Sequence, residues 1–174
     1  TYTVGNGHTS ADLDYASTSA LALNSGTIRD AAGNAATLTL ASPGASNSLG
    51  NNKALVVDTT VPTVSSVTSS TANGTFKVGD AISIQVTFSE SVTVTGTPQL
   101  TLETGGSDAV VDYASGSGGT ALTFTYTVGS GHTTSDLDYV GTSSLALNSG
   151  TIRDAVGNAA TLTLASPGAS NSLG

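Results

Sequence analysis

The sequence predicts an all-β protein, a Greek-key sandwich with roughly seven to nine strands in each module. Three observations lead to this prediction. Apolar and polar residues alternate with a period of two, turn signals rich in Gly, Asn and Asp separate the alternating stretches, and no segment shows a helical period. A stretch of 50 residues also occurs twice, so the fold class applies to repeated modules.

The two clearest strands are "AISIQVTF" at 81–88 and "ALTFTYTV" at 121–128, because each puts four apolar side chains on one face and polar ones on the other. Shorter strands are predicted, in chain order, at Ala54–Asp58, Val64–Thr68, Gln99–Glu103, Ala109–Tyr113, Leu145–Ile152 and Thr161–Leu164. Turn signals such as "TANG", "ETGGSD" and "SGSGG" lie between them. The pairing of residues 36–50 and 160–174 stays open between a hairpin and a long loop.

The duplication defines the modules. Residues 1–50 and 125–174 agree at 43 of 50 positions, and all seven differences exchange small or polar residues. A period of 124 residues is far longer than that of solenoid repeats, so each repeat should be a domain with its own core. We therefore predict that residues 1–58 are the C-terminal half of a preceding module and that residues 59–174 are a module lacking its last strand. The short linker "VVDTTVPT" should join modules end to end, as in a rod.

The charge balance argues against two classes of partner. Twelve acidic and four basic residues give a net charge of −8, which would repel phosphate backbones and anionic lipid. Nucleic acid and membrane surfaces are therefore not expected partners. The absence of Cys excludes a disulfide framework and a thiol site, and leaves the compartment open. No apolar run has the length of a transmembrane helix.

Catalytic motifs are missing, so we expect no enzymatic activity. There is no G-x-S-x-G elbow, and His8 and His132 are one position in two copies, expected to be exposed loop residues without a second His or Cys nearby. Glu90 and Asp154 could be imagined as a glycosidase pair. Against this, the chain has no Trp and only eight aromatic residues, most of them at core positions of strands, so no sugar-stacking cleft is expected.

Five stretches, in this order along the module, carry a resemblance to a known family: "VDTTVPTV", "VTFSESVTVTGTPQLTLETG", "ALTFTYTVGSG", "LALNSGTIRDAVGNAATLTL" and "NKALVVDTT". They resemble the bacterial immunoglobulin-like repeats of giant secreted adhesins and other surface proteins, and the resemblance covers essentially the whole chain. It implies an Ig-like Greek-key sandwich, many tandem copies, an extracellular place on the bacterial cell surface and a stalk role. It also implies calcium at or near the module junctions. An adhesive target is not implied.

The Ig-like strand order brings acidic residues to one pole of the module. The strand that ends in "FSE" returns Glu90 toward the linker, and the strand through "GTIRD" descends to the same pole. The segment "TSADLDY" faces this junction from the preceding module. Ca²⁺ is the predicted cation because it accepts six to eight oxygen ligands without strict geometry. The predicted ligands are the oxygen-bearing residues Asp58, Glu90, Asp154, Asn158, Asp12 and Asp14.

Structural roles stay open for the same residues. Asp30 and Asp154 could cap tight turns in "RDAAGN" and "RDAVGN" by accepting backbone N–H bonds, with Gly33 or Gly157 at positive φ. Glu90 could be a solvated edge charge that discourages pairing between sheets.

Two functions follow from these observations. The first is a non-enzymatic extender repeat of a large cell-surface or secreted adhesin, stiffened by calcium at module junctions. The second is a self-assembling subunit of an extracellular filament or surface layer. In that case residues 1–58 and 125–174 compete to complete residues 60–124, and the half left open is completed by strands of a neighbouring chain. Under both hypotheses the partners are adjacent copies of the module, in the same chain or in neighbouring chains.

Overall fold

A computed structural model describes all residues of the chain, Thr1–Gly174. The chain divides into two compact units, which we call unit 1 (Thr1–Thr60) and unit 2 (Val61–Gly174). The division lies two residues after the boundary that the linker sequence predicts. Each unit is described below by itself.

The regular secondary structure of unit 2 consists only of strands, which confirms the all-β prediction. Its antiparallel strands are β1 (Val64–Ser69), β2 (Ala81–Thr95), β3 (Gln99–Glu103), β4 (Ala109–Ser115), β5 (Gly119–Thr127), β6 (Asp138–Tyr139), β7 (Leu145–Ala146) and β8 (Thr151–Arg153). They form one curled sheet in the order β1-β2-β5-β4-β3-β6, with β7 paired to β3 and β8 paired to β2. The Ig-like sandwich and the tandem modules stay predictions.

The core of unit 2 lies on the face of the sheet that the alternation predicts. Every second residue of β2 from Ile82 to Phe88 is buried, and the same holds for β5 from Leu122 to Tyr126. Burial of these side chains removes apolar surface from water, which is the main stabilising term of the fold. The buried apolar residues of unit 2 are Val67, Ile82, Ile84, Val86, Phe88, Val92, Leu100, Leu102, Ala109, Val111, Leu122, Phe124, Tyr126, Tyr139, Leu145, Ile152 and Leu164.

The strand predicted at Leu145–Ile152 is wrong as a single strand. It breaks into β7 and β8 because Asn148 and Ser149 adopt φ values of 46° and 64°, and the Gly150 amide donates to the Leu147 carbonyl at 2.8 Å. Two central residues at positive φ define a type I′ turn, for which Asn is well suited. The "NSG" signal therefore outweighs the alternating pattern around it.

Two other predicted strands are reduced to isolated bridges, and one strand was missed. Within Thr161–Leu164, the first amide donates to Pro62 and the last to Thr142, so no single partner strand supports a ladder. Within Ala54–Asp58, only Val57 forms a bridge. The missed strand is β6, which pairs over just two residues with β3. Elements this short leave no readable period in the sequence.

Unit 1 is mostly irregular, with one helical turn, α1 (Leu49–Asn52), capped by the Ser48 side chain. Its apolar side chains are far more exposed than their copies in unit 2: Tyr2 is 52% exposed and Tyr126 only 4%, and Ile28 is 47% exposed and Ile152 only 2%. In unit 2, Tyr126 and Ile152 each lie opposite a residue of strand β2. Unit 1 contains no copy of residues 61–124, so it has no such strand to cover them. No helix in the chain has the length and apolar character needed to cross a bilayer.

Candidate metal centre

A β-bulge in strand β2 positions Glu90. The pairing of β2 with β5 runs regularly from Ala81 to Thr87 and then shifts before Val92, so the residues between leave the ladder. Glu90 lies in this bulge and is half-buried, on the side of β2 that otherwise carries core residues. Bulges commonly re-aim a side chain in this way.

The pairing of β8 with the far end of β2 positions Asp154. Thr93 lies opposite Arg153, so Asp154 leaves the ladder one residue later, next to the bulge. The Asp154 side chain is buried, with 5% of its surface exposed. Two segments far apart in the sequence therefore deliver their carboxylates to one corner of unit 2.

The two carboxylates lie within reach of one cation. A carboxylate oxygen of Glu90 and one of Asp154 lie within 4.8 Å of each other. Calcium binds oxygen at about 2.3 to 2.6 Å, so one ion can contact two oxygens that are up to about 5 Å apart. The geometry is compatible with a shared Ca²⁺.

The turn that follows Asp154 is held by its own side chain. Asp154 Oδ1 accepts the backbone N–H groups of Val156, Gly157 and Asn158 at 3.0, 2.7 and 2.7 Å. Asn158 Nδ2 donates to Asp154 Oδ2 at 2.7 Å, and Gly157 adopts a φ of 101°. Asp154 therefore has the turn-capping role, and Asn158 acts on it as a hydrogen-bond donor. Only Oδ2 keeps capacity for a further ligand contact.

These hydrogen bonds set the charge state of Asp154. Burial by itself raises the pKa of this carboxyl, but the N–H groups of the Asn158 side chain and of the Asn158, Gly157 and Val156 backbone outweigh it. The net result is a pKa below the ordinary value of 3.8. Asp154 is ionised at neutral pH, as a metal ligand requires.

The first copy of the turn has almost the same structure. The Asn34 backbone and side chain both donate to Asp30, at 2.8 and 2.9 Å, and Gly33 has a φ of 91°. Here Asp30 is exposed, and the pKa of Asp30 is lowered, chiefly by the hydrogen bond from the Asn34 side chain. Unit 1 contains no copy of Glu90. The turn thus forms from its own sequence, without a second carboxylate.

The other predicted ligands have hydrogen-bonding roles within unit 1. Asp58 is half-buried and its Oδ1 accepts the Thr60 amide at 2.9 Å. Asp12 accepts the Leu55 amide at 3.1 Å. Asp14 accepts the amides of Tyr15 and Gly44 at 2.9 and 3.0 Å. The contribution of these three carboxylates to metal binding stays a prediction.

The contact between Tyr126 and His132 was not predicted from the sequence. The Tyr126 hydroxyl lies 2.8 Å from His132 Nδ1, the Gly129 amide donates to the same nitrogen at 3.2 Å, and the two rings stack. His132 is therefore half-buried and not an exposed loop residue, whereas its copy His8 is exposed. The repeated "YTVG-x-GH" was the available signal. Since Nδ1 accepts an amide, the neutral ring carries its proton on Nε2.

Comparison with protein-family models, with curated proteins and with solved structures finds no match for this chain.

Proposed function

We propose that the chain is a non-enzymatic extender repeat of a large cell-surface or secreted bacterial adhesin, stiffened by Ca²⁺ where modules join. The observation that carries the calcium part is the approach of Glu90 to Asp154. Two carboxylates within 4.8 Å of each other repel by about 0.9 kcal/mol or more in water, and by several times more when partly desolvated. A bound divalent cation replaces this repulsion with attraction.

Asp58 is the proposed third ligand because the chain enters unit 2 at the same corner. The Thr63 amide donates to Ser89 Oγ at 3.0 Å, and the Ser89 amide donates to the Thr63 carbonyl at 2.8 Å. Ser89 directly precedes Glu90. Asp58 precedes Thr63 by five residues, so an Asp58 ligand would come from the linker that leads to this corner. A ligand supplied by the linker would make linker order depend on calcium.

The state of Asp154 supports a binding role in preference to an acid catalyst. A general acid of a glycosidase needs a raised pKa, whereas hydrogen bonds lower the pKa of Asp154 despite its burial. The three amides on Oδ1 also fix the carboxylate in one orientation. A fixed, ionised carboxylate is typical of metal ligands and of turn caps.

The exposed apolar side chains of unit 1 support the tandem arrangement. Tyr2 and Ile28 are exposed, but the same residues in unit 2, Tyr126 and Ile152, pair with β2 and are buried. A preceding copy of residues 61–124 would bury them in the same way. This is the arrangement that a series of identical repeats provides, and it agrees with an extracellular stalk.

The test is a calcium titration of the full chain by calorimetry and by thermal unfolding. We expect a dissociation constant of about 0.1 to 1 mM, typical of extracellular modules. At ten times that concentration of free calcium, the free energy of unfolding should rise by about 1.4 kcal/mol. Asp154→Asn should abolish the response, while the matched variant Asp30→Asn in the exposed copy should retain it. A wild-type chain whose melting temperature is unchanged by calcium would refute the metal part of the proposal.

A further inference from the structure

Unit 1 shows how an extended segment docks on the loop that follows the repeated "YTVG". The segment Lys53–Thr59 runs antiparallel to residues 7–13. Ser10 and Val57 exchange two backbone hydrogen bonds of 2.7 and 2.9 Å, and the Leu13 amide donates to the Leu55 carbonyl at 2.8 Å.

Side chains complete this docking. The Leu55 amide donates to Asp12 Oδ1 at 3.1 Å. The Thr59 hydroxyl accepts the Gly7 amide at 3.0 Å and donates to the His8 carbonyl at 3.1 Å. Residues 7–13 therefore bind the segment through backbone groups, which any sequence provides. The only side chain that they contribute is that of Asp12.

The same loop in unit 2 keeps all of these groups. Gly131, His132, Asp136 and Leu137 are identical to their counterparts, and Thr134 replaces Ser10 at a position that uses only the backbone. The amides of Thr134 and Leu137, whose copies bond the segment in unit 1, donate to no carbonyl or side chain. Unit 2 thus presents the docking edge with its donors unused.

A cleft of about 580 Å³ lies beside this edge. Its lining is mixed, and its large apolar residues, Phe76, Ile82, Tyr126, Val128, Leu137 and Leu173, lie among Ser, Thr, Asn, His and Asp residues. In unit 1 the segment presents alternate faces: Val57 is 8% exposed, whereas Val56 is 67% exposed. An extended strand therefore has one apolar row to place in the cleft and one row to face solvent.

We propose that this cleft of unit 2 binds a second copy of the segment Lys53–Thr59 as an added antiparallel strand. The strand satisfies the amides of Thr134 and Leu137 and places Val57 against the apolar residues of the cleft, which is the β-augmentation mode of peptide recognition. The binding does not depend on whether Glu90 and Asp154 hold a cation.

A synthetic peptide of residues 51–60, "NNKALVVDTT", tests the proposal on the full chain. We expect saturable 1:1 binding by fluorescence anisotropy and shifts of the Thr134 and Leu137 amide signals in NMR spectra. A peptide with Val57→Asp should bind at least about tenfold more weakly, because a carboxylate would replace the one side chain of the segment that is buried in unit 1. A peptide with Val56→Asp, changed on the solvent row, should keep its affinity within about twofold.

The duplication supplies a matched control on the receptor. Asp136 is exposed, so Asp136→Leu should leave the fold intact, as a melting curve can verify, and should weaken the peptide severalfold. Asp12→Leu in unit 1 should leave the peptide affinity unchanged. The proposal is overturned if no peptide binds, if the two peptide variants bind alike, or if Asp12→Leu alone weakens binding, since the peptide would then be replacing the resident segment of unit 1. Self-association of the unmodified chain that the peptide inhibits would support the proposal and identify a whole second molecule as the donor.

Discussion

Glu90, in the bulge of β2, and Asp154, directly after β8, hold carboxylate oxygens within 4.8 Å of each other. The two residues are 64 positions apart in the sequence, so local structure cannot bring them together. The approach depends on the end of β2 pairing with β8 over three residues. The predictions below follow from this relationship and from the turn that fixes Asp154.

Glu90→Gln should reduce stability with calcium far more than it does without calcium. Without calcium the change removes the repulsion from Asp154 together with the other contacts of the Glu90 carboxylate, so the free energy of unfolding should change little. With millimolar calcium the variant should lose most of the ion-dependent gain, because a ligand charge is absent. Thermal unfolding in chelator and in calcium measures both effects. Glu103→Gln, on the exposed end of β3, is the control and should respond to calcium like the wild type.

Gly157→Ala should destabilise unit 2 by about 1 kcal/mol. Gly157 has a φ of 101°, which Ala adopts only with strain, and no atom lies within 4 Å of the added Cβ, so the cost is purely conformational. Urea unfolding followed by NMR signals of unit 2 measures this. Gly33→Ala, which has the same strain in unit 1, should leave those signals unfolding at the wild-type urea concentration. If unit 2 lost the same stability in both variants, the loss could not be assigned to the turn at Gly157.

Asn158→Ala should reduce the acid sensitivity of the metal-free protein. The pKa of Asp154 lies below 3.8 in the folded chain, so its ionised form stabilises the fold above that pH, and the contribution is lost as the pH falls through the folded value. Without the side-chain amide of Asn158 the pKa of Asp154 rises toward 3.8. The variant should therefore be less stable by about 1.5 kcal/mol at neutral pH and closer to the wild type in acid.

Urea unfolding in chelator, at neutral pH and well below pH 3.8, compares the two proteins. Asn34→Ala makes the same change at the exposed Asp30 and serves as the control for unit 2 signals. A stability deficit of Asn158→Ala that is the same at both pH values would mean that Asn158 acts only through packing.

Gly150→Ala should destabilise unit 2 more than Gly157→Ala does and should also weaken calcium binding. A Cβ at Gly150 would lie 2.3 Å from the Thr95 carbonyl oxygen, so strand β8 would have to move away from β2. We expect a loss of about 1 to 3 kcal/mol, typical of overpacking, and a lower calcium affinity because Asp154 moves with β8. Gly26→Ala, the same position in unit 1, meets only the Leu23 carbonyl at 3.0 Å. Its calcium affinity should equal that of the wild type.

Long strands were predictable because their alternation continues over many residues. The apolar rows of β2 and β5 lie where the sequence puts them, from Ile82 to Phe88 and from Leu122 to Tyr126. Short elements were not predictable, since β6 and β7 have two residues each and owe their pairing to β3. A pattern of two residues carries no period, so tertiary contact alone defines such strands.

The candidate site was predictable in its residue types and less so in its structure. The "RDAVGN" turn signal correctly indicated an Asp cap with Gly157 at positive φ. The meeting of Glu90 with Asp154 required the Ig-like strand order as an added assumption. The bulge in β2 was not predicted, although Glu90 interrupts the apolar row between Phe88 and Val92. Asp12 and Asp14 were predicted as ligands, and the amides that they accept could not be identified from the sequence.

The saturation of Asp154 Oδ1 by three amides bears on ion selectivity. With one oxygen fully occupied, Asp154 can bind a cation only through Oδ2, as a monodentate ligand, and water has to supply much of the coordination shell. Magnesium keeps its water readily but binds oxygen at about 2.0 to 2.1 Å, so it spans a shorter distance between two carboxylates than calcium does. The preference for one ion over the other would then follow from the distance between the Asp154 and Glu90 oxygens. If magnesium displaces calcium, the bulge in β2 must be able to move Glu90 closer to Asp154.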